Sequence, residues 1–130
     1  MAAGVTEVSP TIVLPLPPVA LKANRATQHW AGTHKAKTAY RAAVLAKLAQ
    51  YAWGDDTGRY PVAMTLTAYV GKGQRMPDLA DLGTWAKVAI DQLVQAGVFK
   101  DDGPTYIRPL LLDCGRDWAN PRLEIAWRNE

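Results

Sequence analysis

The sequence predicts a single-domain α/β (α+β) fold, a mixed β-sheet packed by two main helices in the order β-α-β-α-β-β. Three observations carry that expectation. Two segments repeat apolar residues at helical spacing, and four short aliphatic or β-branched runs lie between turn signals. A length of 130 residues suits one domain with one core. An apolar share of 48% against a charged share of 21% belongs to a globular chain, and no internal repeat is visible.

Residues 1–10 are weakly patterned and read as a flexible N-terminus, leaving 11–130 as the domain. TIVLPLPP (11–18) is a short strand stopped by prolines, which supply no ladder N–H. KAKTAYRAAVLAKLAQY (35–51) is the first helix, with Tyr40, Val44, Leu48 and Tyr51 on one face. WGDDTGRYP is turn chemistry, so Asp55 and Asp56 read as a solvated turn. VAMTLTAYV (62–70) alternates as a strand should and runs into the basic loop GKGQR. The second helix is expected over 82–96, with Leu82, Trp85, Ala86, Ala89, Leu93 and Ala96 as its apolar stripe and Gly97 as its stop. Two more strands, 106–113 and 122–127, are joined by the polar loop CGRDWANP.

The net charge of +3 is mildly basic and hints at a polyanionic partner. A single cysteine, Cys114, allows no internal disulfide and suits a reducing compartment, so the expected location is cytoplasmic. No run approaches the ~20 apolar residues that span a bilayer, so no membrane partner is expected.

The distinctive stretch is DLADLGTWAKVAIDQLVQAGVFKDD (78–102), with acids at both ends of the second helix. Asp78 suits an N-terminus, where a carboxylate accepts backbone N–H bonds and meets the positive end of the dipole. Asp101 and Asp102 lie past the C-terminus, where Lys, Arg or Gly would be favoured. A 15-residue helix is about 22 Å long, so the acids meet only if a loop folds back. Converging Asp78, Asp81 and Asp102 would make an all-oxygen site suited to Mg²⁺ or Mn²⁺ rather than to zinc.

Lys72 and Arg75 precede the acids, and Lys87 lies within the helix four residues before Asp91, its expected ion-pair partner. Lys22, Arg25, Lys35, Lys37, Arg41 and Lys47, interleaved with His29, Trp30 and His34, form either a track for a nucleic-acid backbone or a solubilising surface. His29 and His34 have no matching cysteine pair for zinc, and Trp30 reads as a core anchor.

These residues resemble the core signature of the RusA-like Holliday junction resolvases, phage-encoded members above all. In that family a D-x-D/N or D-x-x-N element opens a helix, a Lys follows, then an Asp, an A-G turn and a D-D pair. The matching positions are Asp78 and Asp81, Lys87, Asp91, Ala96 and Gly97, and Asp101 and Asp102. LPLPP, NRATQHW and KTAYR are similar to the family's first strand, basic loop and first helix, so the likeness runs from about Thr11 to Trp127.

The resemblance implies a homodimeric endonuclease, dependent on Mg²⁺ or Mn²⁺, that nicks opposing strands of four-way DNA junctions in recombination, repair or phage DNA processing. It implies Asp78, Asp81 and Asp102 as catalytic metal ligands, Asp101 as a supporting acid and Lys87 as a phosphate or water contact. Lys72, Arg75, Arg25, Lys35, Lys37 and Arg41 become the expected DNA contacts. One position departs from the pattern. Counted back from Lys87 without a gap, the D-x-D form falls on Asp81 and Gly83, whereas the D-x-x-N form falls on Asp78 and Asp81 with Asp in place of Asn. Gly83 thus favours the alternative, a structure-selective DNA-binding protein of the same fold with weak or lost cleavage.

Overall fold

The computed structural model describes residues 11–17, 30–50 and 60–129. Its elements are β1 (Thr11–Leu14), α1 (Trp30–Leu48), β2 (Val62–Val70), α2 (Leu79–Gln95), β3 (Ile107–Arg116) and β4 (Arg122–Asn129). This is the expected single-domain α+β order. The expected flexible segment 1–10, Lys22, Arg25, His29, Tyr51 and the Asp55–Asp56 turn lie outside the described residues. No helix among the described residues is long and apolar enough to cross a membrane.

The four strands form one sheet in the order β1-β4-β2-β3. β1 and β2 each pair antiparallel with β4, while β2 and β3 run parallel. Parallel neighbours need a crossover, and α2 supplies it. Strand alternation then sends one side of each strand into the core. Val62, Met64, Leu66, Ala68 and Val70 of β2 are all buried, with Ile12, Leu14, Leu123 and Ile125 beside them. Register aligns these rows: Ile12 and Leu66 both lie opposite Ile125, and Leu14 and Ala68 both lie opposite Leu123.

The helices cover this face. α2 buries Leu82, Trp85, Ala86, Val88, Ala89, Ile90 and Leu93, and α1 contributes Tyr40, Val44 and Leu48. The Tyr40 hydroxyl donates to the Pro15 carbonyl at 2.6 Å, tying α1 to the chain that leaves β1. Burial pushes the Tyr40 phenol well above its ordinary pKa.

Both ends of α2 are closed by sequence-encoded caps. At the start, the Asp81 N–H donates to Asp78 Oδ1 at 2.8 Å and the Asp78 N–H donates to Asp81 Oδ2 at 3.2 Å, a reciprocal capping box. At the finish, Gly97 adopts φ +84°, and the N–H groups of Gly97 and Val98 donate to the carbonyls of Val94 and Leu93. That is a Schellman turn, whose left-handed residue is cheapest as glycine.

Candidate functional site

The polar face of α2 carries a four-residue charge cluster. Lys87 Nζ donates to Asp102 Oδ2 at 2.5 Å and lies 3.1 Å from Asp91 Oδ1, one helical turn on. Arg41 reaches the other Asp91 oxygen from α1 at 3.9 Å. Asp102 arrives because the segment after the Schellman turn doubles back along the helix. Asp101 steadies that approach by accepting the Asp102 N–H at 2.8 Å. The hydrogen bond from Lys87 holds the Asp102 carboxyl below the usual carboxylate range, and those to Asp102 and Asp91 raise the Lys87 ammonium above its ordinary value. Beside the pair is an open cavity of about 370 Å³ lined by Gly83, Ala86, Lys87, Ile90, Asp102 and Leu110.

Asp78 and Asp81 lie elsewhere. Asp81 is buried and Asp78 exposed, and their carboxylates serve the capping box. Lys87 stands six positions after Asp81, about 9 Å along the axis and about 120° around it. The structure therefore brings Asp102, Asp91 and Lys87 together but leaves Asp78 and Asp81 at the helix entrance. Among the described residues no three acidic, histidine or cysteine side chains are grouped to hold a metal ion. In this arrangement the donors do not fit a shared Mg²⁺ or Mn²⁺ site. Gly83 lines the same cavity as Asp102 and has no side chain to offer.

The expected DNA contacts divide similarly. Lys72 and Arg75 are exposed on the loop between β2 and α2. Lys35 is exposed and Lys37 half-buried on α1, Arg41 is turned towards Asp91, and Arg25 lies outside the described residues. Sequence reasoning missed a second set of residues at the Lys72 end. Arg116 Nη1 donates to the carbonyls of Gly71 and Gln74 at 2.8 and 2.9 Å, and Lys72 Nζ lies 5.7 Å from the centre of the Trp118 ring. The available signal was a cation and an aromatic two residues apart in CGRDWANP, which reads as a plain polar loop until β3 and β4 fix where it points.

A scan of the sequence against known protein families finds no match, and a search of curated proteins finds no matching relative.

Proposed function

We propose that this chain is a structure-selective endonuclease of branched DNA that takes four-way junctions as a homodimer and nicks opposing strands. The observation that carries the reading is Asp102 folded back onto Lys87. Lys87 and Asp102, two positions of the RusA-like resemblance, line one cavity. Lys87 stays cationic at neutral pH there. A phosphate oxygen entering the cavity would take a charge-assisted bond from it in exchange for one of its acids. Lys72 and Arg75 would hold flanking phosphates, and a two-fold junction calls for two copies of the site.

A second reading, junction binding with weak or lost cleavage, is favoured by Gly83 on the cavity wall and by the capping role of Asp78 and Asp81. Incubating the purified chain with a mobile four-way junction and a matched linear duplex, in Mg²⁺, Mn²⁺ or EDTA, separates the two. The first expects paired nicks in the junction that depend on the added metal and are lost in Asp102→Asn while binding persists. Junction-selective binding without nicks in any metal supports the second. Equal affinity for junction and duplex overturns both.

A further inference from the structure

Trp118, at the turn between β3 and β4, is 64% exposed, whereas Trp85 is 2% exposed and Trp127 is half-buried in a ring contact with Phe99. A large ring open to water at a loop tip offers a flat apolar face, and its fixed setting and charged neighbours decide what that face suits. The turn that carries it is unusually well fixed. The Asp117 N–H donates to the Val70 carbonyl at 2.9 Å, and Asp117 Oδ1 accepts from the N–H groups of Ala119 and Asn120 at 3.3 and 3.2 Å. Arg122 Nη1 donates to Asp117 Oδ2 at 2.7 Å and to the Asn120 carbonyl at 2.9 Å, while its guanidinium lies 4.2 Å from the Tyr69 ring centre.

Charge decides what the ring suits. Arg122 also pairs with Glu124, so one guanidinium serves two carboxylates, and Asp113 stands in the same cross-strand row as Glu124. Lys72 beside the ring, Arg75 on the same loop and Arg116 clasping that loop leave the surroundings cationic. An exposed π-face beside cations on a preformed turn takes a flat heterocycle joined to phosphate.

We propose that Trp118 is a stacking platform for an unpaired nucleobase, with Lys72 holding the adjoining phosphate. Resting on the branched-DNA reading, it names how an open junction centre would be told from a continuous duplex.

The test is anisotropy of the full chain against three labelled DNAs in EDTA: a four-way junction, a thymidine single strand and a duplex of equal length. Trp118→Ala is expected to weaken junction and single-strand binding about five-fold or more and duplex binding far less, with Trp118→Phe recovering most of the loss. The dependence of log affinity on log salt should stay as in the wild type for Trp118→Ala, and become shallower by roughly 0.7–0.9 for Lys72→Ala. If the wild type prefers the junction but Trp118→Ala binds all three DNAs as it does, the platform is overturned and the branched-DNA reading stands. If the wild type binds none of them, both fall.

Discussion

Lys87 is held by two acids that reach it from different parts of the chain, and this gives the cluster a defined pH window. Asp102 is depressed by its hydrogen bond from Lys87, so its share of the contact is present above the unfolded carboxylate pKa and lost as pH falls through the depressed value. Lys87 is raised by Asp102 and then Asp91, so its share is present below the ordinary lysine pKa and lost as pH rises through the raised value. The contact is therefore intact across neutral pH. Carboxyl-carbon NMR titration should show the Asp102 midpoint moving up in Lys87→Met, and an unmoved midpoint would count against the pairing. Gly83, on the wall of the same cavity, has open space where a Cβ would stand. Gly83→Ala should raise unfolding free energy by about 1 kcal/mol in urea denaturation, because nothing obstructs the methyl and helical glycine is entropically costly. Gly83→Asp would add a carboxylate to the cavity that Asp102 lines, and calorimetric titration should then show tighter Mn²⁺ binding than in the wild type.

Along α2, capping and metal binding make different claims on Asp78 and Asp81. Loss of the N-cap acid in Asp78→Ala should cost about 1 kcal/mol with or without Mg²⁺, read as a shift of the urea midpoint. A metal ligand would behave otherwise: Mg²⁺ would raise the melting temperature of the wild type and leave that of Asp81→Asn unmoved, by the mass-action stabilisation of a bound ion. A melting temperature insensitive to Mg²⁺ would assign both acids to the cap alone. Much of this helix is legible in the sequence. The stripe stands as read from Leu82 to Leu93, as does the stop at Gly97, because apolar period and left-handed glycine are local properties, whereas Ala96, expected as its last member, is the exposed C-cap. The start at Leu79 comes three residues before the expected 82, since the apolar rhythm begins one turn after the hydrogen-bonded helix does. α1 likewise begins at Trp30 rather than 35, where the preceding WAGTH lacks a clear stripe. The Lys87–Asp91 pair follows from i,i+4 spacing, but the partner Asp102 depends on the path of a loop, and no local pattern encodes that.

At the scale of the whole molecule, the last strand completes the sheet. β4 lies between β1 and β2, so the sheet order joins the two ends of the described chain. Local composition, and in β2 alternation, marked the strands, yet it could not say which would be neighbours, because pairing is decided by long-range contacts whose closing entropy a local pattern does not report. Trp118 became conspicuous for the same reason: only the β3–β4 turn, once placed beside the β2–α2 loop, puts it against Lys72. The topology also implies that the domain folds as one unit. Ile125 is fully buried, lies opposite Ile12 on one side and Leu66 on the other, and so joins the first strand to the centre of the sheet. Ile125→Ala should cost about 2–5 kcal/mol, a large share of the roughly 5–15 kcal/mol typical of a domain. Leu111→Ala, at a position 58% exposed on the edge strand, should stay within about 0.5 kcal/mol of the wild type. Far-UV circular dichroism and tryptophan fluorescence should trace one coincident urea transition in the wild type and both variants. Separate transitions for the two signals would mean that the domain does not unfold as one unit. In that case the burial shared by Ile12, Ile125 and Leu66 would not couple the ends of the chain to the face of α2 that presents Lys87.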